Sequence, residues 1–161
     1  MKRYILALLL LLPFVILANE NSLSNIKMGA VSSQHQSTNL YFGADFIIPS
    51  NDFSFGVGFD IVGLDGGGGS TDTYGNYTLG GQLKVAYSLK SLIDLPVILK
   101  ADVGYGVTRF YKENYWGYQY GTNLEVKLYK NFGAGVGYKM IDTDTVLGKT
   151  DNYLVYLSLF I

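Results

Sequence analysis

Few side chains of this chain are suited to catalysis or metal binding. There is no Cys, and His35 is the single His. A disulfide framework or a thiolate metal site cannot be built, and a cluster of His ligands is not expected. His35 precedes Ser37 by two residues, and an imidazole can activate a hydroxyl that lies within hydrogen-bond distance. The pair stands in a polar segment with no acid placed beside it. We therefore predict no catalytic residue, no metal and no cofactor.

The remaining candidates are charged residues placed regularly between apolar ones. Successive side chains of a β-strand point to opposite faces, so these charges share a face with Gly and small polar residues. An unpaired buried charge is strongly destabilising, and the five cations and four anions nearly balance. We predict that they form an ion-pair network, centred on Lys100, Asp102, Glu125 and Lys127. The nine residues are Lys27, Asp45, Asp60, Lys84, Lys100, Asp102, Glu125, Lys127 and Lys139.

The alternation is clearest at residues 53–61, where Phe, Val and Ile occupy the odd positions and Ser, Gly and Asp the even ones. A period of two predicts a strand and not a helix. Connections after the odd-numbered strands are predicted to be longer and polar, at 32–38, 64–75, 111–116 and 143–151. Those after the even-numbered strands are predicted to be short, with a turn at 90–94. Residues 66–69 are all Gly and predict an external loop, since no Lys-Ser/Thr and no helix follow as in a phosphate-binding loop. Strands are predicted at eight places, namely 24–31, 40–48, 53–61, 77–89, 95–108, 118–128, 132–140 and 153–161.

Eight consecutive antiparallel strands can close into an up-and-down barrel, which removes both sheet edges. The lumen of such a barrel is only wide enough for side chains or one small ligand, so it cannot hold the many Phe, Tyr and Leu residues. Several strands also have the roughly 10 residues that a membrane-crossing strand needs. We predict an all-β, eight-stranded antiparallel up-and-down transmembrane β-barrel with its apolar face outward. Aromatic residues of that face would form interfacial girdles: Tyr77, Tyr87, Tyr105, Tyr118, Phe132, Tyr138 and Tyr153.

The first 18 residues differ from the rest of the chain. Lys2 and Arg3 precede an apolar run at residues 5–17, which is interrupted only by Pro13 and ends at Ala18. The run is shorter than a spanning helix of about 20 residues, and a small residue stands where a signal peptidase would cut. We predict a cleaved signal peptide at 1–18 and a barrel domain at 19–161.

The mature chain resembles the small eight-stranded outer-membrane barrels of Gram-negative bacteria, of the OmpA/OmpX type. The strongest element of the resemblance is the alternating apolar strand at the C-terminus, although the family's last aromatic residue is replaced by Ile161. The resemblance implies residence in the outer membrane, contact with its lipid and lipopolysaccharide, and insertion by the barrel-assembly machinery. Arg109 and Lys112 would then lie near lipopolysaccharide phosphates at the outer rim. The assembly signal would comprise Tyr153, Val155, Leu157, Leu159, Phe160 and Ile161.

Several functions are compatible with this pattern. The main prediction is a monomeric, non-catalytic barrel with a structural or surface-interaction role, long outward loops and a lumen closed by ion pairs. A narrow passive pore and a soluble lipocalin-like binding barrel remain alternatives. A third is a lipid A-modifying enzyme, since outer-membrane lipid A deacylases also use a His-x-Ser pair, although in the C-terminal half of their barrel. The formal charge of −1 gives no basic surface for nucleic acid, and a cation site at Asp142 and Asp144 is not expected.

Overall fold

The computed structural model describes residues 23–33, 36–50, 53–64, 76–110, 113–129, 131–144 and 148–161. The predicted signal peptide, His35, the Gly run at 66–69 and Lys112 lie outside the described residues. The predicted division into signal peptide and barrel domain therefore stays a prediction.

Eight antiparallel strands form one closed barrel, and each strand pairs with its neighbours in sequence. The last strand also pairs with the first, from Asn25 opposite Phe160 to Ser33 opposite Asn152. The predicted strand number and topology are therefore confirmed. The strands are β1 (Asn25–Ser33), β2 (Gln36–Ile48), β3 (Phe53–Leu64), β4 (Asn76–Ser88), β5 (Val97–Phe110), β6 (Glu113–Tyr129), β7 (Phe132–Thr143) and β8 (Lys149–Phe160).

The barrel has two different ends. The termini end contains the start of β1, the end of β8 and the connections β2–β3, β4–β5 and β6–β7. The hairpin end contains the other four connections. A four-residue helix, α1 (Lys90–Ile93), lies in the β4–β5 connection, where the sequence predicted only a turn. None of the helices in the described residues is long and apolar enough to cross a membrane.

The strands extend further toward the hairpin end than the sequence predicted. Connections were expected at 32–38, 111–116 and 143–151, yet only 34–35, 111–112 and 144–148 separate the strands there. Polar residues continue the pairing, with Arg109 opposite Asn114 and Asp142 opposite Lys149. Where both faces of a hairpin are polar, the period-two apolar signal disappears although the backbone ladder continues. The prediction of long loops at these three connections was therefore wrong.

The apolar face points outward. Leu40 is 79% exposed and Leu83 is 64% exposed, while the neighbouring Tyr41 and Lys84 are buried. In β3, Phe53, Phe55, Val57, Phe59 and Ile61 are all exposed, whereas Ser54 and Asp60 are buried. A large contiguous apolar surface of this kind is rare on soluble monomers. The predicted orientation is confirmed. The lipocalin-like alternative would require the apolar face to point into the lumen.

The lumen is filled in layers. Toward the termini end, Phe160 packs in an apolar cluster with Ile47, Ala86 and Ile98. Toward the hairpin end, a second cluster joins Tyr41 and Tyr156 to five aliphatic residues, and the two Tyr rings lie 5.8 Å apart between centroids. Along β2, Asp45 lies between Tyr41 and Ile47, so the charged residues occupy the layer between the two apolar clusters.

Candidate functional site in the barrel lumen

Eight of the nine predicted charged residues meet inside the barrel. Four are Lys and four are carboxylates, and the most exposed of them, Asp102, is only 8% exposed. Each comes from an inward-facing position of an alternating strand, and together the seven strands β1 to β7 contribute them. Seven ion pairs connect all eight residues into one network. The residues are Lys27, Asp45, Asp60, Lys84, Lys100, Asp102, Glu125 and Lys139.

Asp45 on β2 is the most connected member of the network. Its Oδ2 lies 2.9 Å from Lys27 Nζ and 3.1 Å from Lys100 Nζ, and its Oδ1 lies 3.2 Å from Lys84 Nζ. These ammonium groups come from β1, β5 and β4. The network is therefore centred on Asp45 and not on the neighbouring residues of β5 and β6 that the sequence indicated.

Two branches extend from Lys84 and Lys100. Lys84 Nζ lies 3.5 Å from Asp102 Oδ2, and Lys139 Nζ lies 3.3 Å from Asp102 Oδ1 and also pairs with Asp60. In the other branch, Lys100 Nζ lies 2.8 Å from Glu125 Oε2. The network thus crosses the lumen, because Asp60 on β3 and Lys139 on β7 are not on neighbouring strands.

Amide side chains complete the coordination of the carboxylates. Asn25 Nδ2 donates a hydrogen bond to Glu125 Oε1 at 2.6 Å, and Asn123 Nδ2 donates one to Asp102 Oδ2 at 3.2 Å. Charge-assisted hydrogen bonds of this kind help to offset the desolvation of buried ions. These amides were not among the residues predicted for the site, although their place on the inward face was a usable signal.

Lys127 differs from the other eight predicted residues. It is only half-buried, and its Nζ lies 4.9 Å from the centroid of the Phe160 ring. Lys127 therefore lies at the edge of the lumen, beside the apolar cluster of the termini end.

Glycines provide the space for the network. Asp102 lies opposite Gly121 in the β5–β6 register, and Tyr156 lies opposite Gly135 in the β7–β8 register. A Cβ added to Gly121 would lie 2.6 Å from both carboxylate oxygens of Asp102, and one added to Gly135 would lie 2.6 Å from the Tyr156 hydroxyl oxygen. The use of Gly at these two inward positions thus has a packing cause.

This geometry was compared with known proteins. No protein-family profile matches the chain, and no curated protein matches its sequence. Among solved structures, the Yersinia pestis outer membrane protein Ail in a bilayer nanodisc superposes with a TM-score of 0.56 at 12% identity, covering 86% of this chain and 98% of Ail. Neisserial surface protein A gives a TM-score of 0.53 at 12% identity, covering 86% and 94%.

The N-terminal barrel domain of Pseudomonas aeruginosa OprF gives a TM-score of 0.50 at 12% identity, covering 87% of this chain and 98% of the domain. The chain has the fold of the small eight-stranded outer-membrane barrels. At these identities the likeness concerns the outer-membrane barrel fold alone, so residue roles must come from the geometry of this chain.

The C-terminal strand of this outer-membrane barrel fold places its residues on both faces. Tyr153, Val155 and Leu157 point outward and are exposed, and Leu159 and Ile161 continue this outward row while half-buried. Phe160 points into the lumen and is fully buried. The outward row therefore ends in Ile161, and Phe160 contributes to packing inside the lumen.

The candidate cation site at Asp142 and Asp144 is not assembled among the described residues. Asp142 pairs with Lys149 at 3.5 Å on the surface, and no group of acidic and His side chains that could hold a metal exists among the described residues. The side chain of Ser37 lies outside the described residues, as His35 does. The geometry thus supports one site, the enclosed ion-pair network of the outer-membrane barrel fold.

Proposed function

We propose that this chain is an integral outer-membrane protein of a Gram-negative bacterium that acts as a monomeric, non-catalytic and non-conducting scaffold. Its barrel would hold surface hairpins at the membrane face. The observation that carries the proposal is the inversion of polarity, with exposed apolar residues outside and a balanced ionic network inside. In water that arrangement would be unstable, whereas in a bilayer each face meets a favourable environment.

The dimensions of the apolar belt support membrane insertion. The strands have 9 to 17 residues, and about 9–11 suffice to cross the hydrocarbon layer. Aromatic residues border the belt at both ends, as is typical of membrane interfaces. Phe53 and Tyr87 lie 5.0 Å apart toward the termini end, and Tyr138 and Tyr153 lie 5.7 Å apart nearer the hairpin end.

The contents of the lumen support a non-conducting role over a narrow pore. A permeating ion would have to pass two apolar clusters and separate paired charges that lie within 3.5 Å of one another. The seven ion pairs join four cations to four anions. The lumen therefore contains no ring of like charges that could select a permeating ion. The proposal therefore assigns the network a structural role.

By this proposal the short turns of the termini end face the periplasm and the hairpin end faces outward. The partners would be membrane lipid and lipopolysaccharide, with the barrel-assembly machinery binding the outward row of β8 during insertion. The exposed edges of the β5–β6 and β7–β8 hairpins would provide the contact surface. Glu113 and Asp144 at these hairpins are exposed.

The experiment that tests the proposal combines location with conductance. The expressed chain should fractionate with the outer membrane and migrate differently on gels before and after boiling, and the purified protein should give no steady conductance in planar bilayers. A protein soluble without detergent would contradict membrane insertion. Steady, large conductance would contradict only the closed lumen. His35-dependent release of an acyl chain from lipid A would contradict the absence of catalysis.

A further inference from the structure

The outward faces of β4, β5 and β6 form ordered rows across the strands. Nearest the hairpin end, Tyr77, Arg109 and Asn114 lie side by side. The next row places Leu79, Val107 and Trp116 together, and the row after that places Gly81 beside Tyr105 and Tyr118. A polar row that includes a guanidinium thus borders an aromatic and apolar surface.

Gly81 leaves a depression in this surface. A Cβ at Gly81 would meet no atom within 4 Å, although the neighbouring outward residues Phe59 and Tyr105 are large. The resulting groove has a volume of about 780 Å³ and is bordered by Val57, Leu83, Val103 and Tyr118 as well. Its outward lining is apolar apart from the Tyr hydroxyls, and it is continuous with the exposed belt.

Three aromatic rings stand between the groove and the polar row. Tyr105 stacks on Trp116 with centroids 5.6 Å apart and an interplanar angle of 8°, and its edge meets Tyr118 at 5.2 Å. Such a rigid cluster keeps its neighbouring groove open, because stacked rings have little freedom to collapse into it. Trp and Tyr also favour the depth at which lipid headgroups meet acyl chains.

Arg109 is the charged member of the polar row. It forms no ion pair with another described residue, and its row neighbours Tyr77 and Asn114 supply a phenol and an amide. A guanidinium can bind a phosphate through two parallel hydrogen bonds, and the other two groups can donate further ones. The order along the surface is therefore anion-binding groups, aromatic rings and an apolar groove.

We propose that this surface binds one anionic, phosphate-bearing lipid, with an acyl chain in the Gly81 groove and its phosphate at Arg109. The inference rests on the proposed membrane function and adds a lipid-specific site to it. The occupant follows from the match between this order of groups and an amphiphile, together with the charge of Arg109. A zwitterionic lipid or a second copy of this chain would use the groove without requiring the guanidinium.

Trp116 is the only Trp of the chain and provides a native reporter beside the groove. The protein is refolded into phosphatidylcholine vesicles that contain a small, equal fraction of brominated phosphatidylglycerol or brominated phosphatidylcholine. Bromine quenches Trp fluorescence only at close range. One cation near an anionic headgroup favours it by an amount that corresponds to roughly fivefold enrichment. We therefore expect clearly stronger quenching by the anionic lipid.

Two variants and their controls test the two halves of the site. Arg109→Gln should remove the preference for the anionic lipid, whereas Arg109→Lys should retain part of it. Gly81→Leu fills the groove and should weaken quenching by both brominated lipids, whereas Ala134→Leu on the outward face of β7 should not. Lys149→Gln, which removes a cation from the β7–β8 hairpin, should leave the preference intact.

Equal quenching of the wild type by both lipids, or an unchanged preference in Arg109→Gln, would overturn the site. So would a change of oligomeric state in detergent on Gly81→Leu, which would point to a second copy. These failures are distinct from failure of the proposed function. In that case even vesicles made wholly of brominated phosphatidylcholine would not quench Trp116, because the protein would not be inserted.

Discussion

Gly81 and Gly121 are two glycines of one barrel with opposite surroundings. Gly81 faces outward into open space, whereas Gly121 faces the lumen and lies against the carboxylate of Asp102. The outer face is formed by side chains that only need to be apolar, because fluid acyl chains can adapt to a surface of any shape. The lumen is formed by groups that must match one another in charge, volume and position. The two faces should therefore differ in which substitutions they tolerate.

The largest effect is expected from Asp45→Ala, which removes the carboxylate shared by three Lys residues. Lys27 would lose its only network partner, and breaking a buried pair in this way typically costs about 3–5 kcal/mol. The measurement is the free energy of unfolding from urea titrations in lipid vesicles. Asp144→Ala, at an exposed rim position, is the matched control and should have little effect. Equal losses in the two variants would contradict the central role of Asp45.

The next effect concerns the outward face. Phe59→Lys places a charge near the middle of the apolar belt, and cations there destabilise outer-membrane barrels by about 2–4 kcal/mol. A smaller fraction of the variant than of the wild type should reach the folded form on unboiled gels. Its neighbour Asp60→Asn removes a lumen charge but keeps an oxygen acceptor, and Lys139 retains Asp102, so assembly should proceed. Normal assembly of Phe59→Lys would mean that this face does not meet lipid.

The sequence predicted the division between these two faces but not the contacts within the lumen. A period of two determines which side of a strand a residue occupies, and this assigned Asp45, Lys84 and Lys139 to the interior. The choice of partner depends on the relative shift of strands around the closed barrel. That shift brings Lys139 on β7 next to Asp60 on β3, and the alternation of residues alone does not predict this pairing.

The strand ends and the last residues were less predictable for related reasons. The pairing of Arg109 with Asn114 extends a hairpin through residues with no apolar signal. The strand that contains Phe160 has apolar residues on both of its faces. Alternation therefore could not predict whether Phe160 points outward or, as the structure has it, into the lumen beside Lys127. The Gly81 groove was also hidden, because a Gly on the outer face has the same sequence signature as one in the lumen.

The two glycines themselves provide a smaller and more specific test. Gly121→Ala would push against Asp102 and overpack the lumen, for which about 1–3 kcal/mol of destabilisation is typical. Gly81→Ala meets no atom and restricts the unfolded chain, so it should be neutral or stabilising by up to about 1 kcal/mol. Urea titrations of both variants in the same vesicles measure the difference. The same loss in both would show that strand conformation, and not lumen packing, determines the use of Gly.

The smallest effect is expected at the surface ion pair of Asp142 and Lys149, whose atoms lie 3.5 Å apart. The side chain of Lys149 is 66% exposed, so water and salt screen the attraction. Exposed pairs of this kind contribute about 0–1 kcal/mol. Asp142→Asn should therefore change the free energy of unfolding by no more than this, and added salt should remove most of the change. A loss as large as that of Asp45→Ala would mean that the β7–β8 hairpin, and not the enclosed network, limits the stability of the barrel.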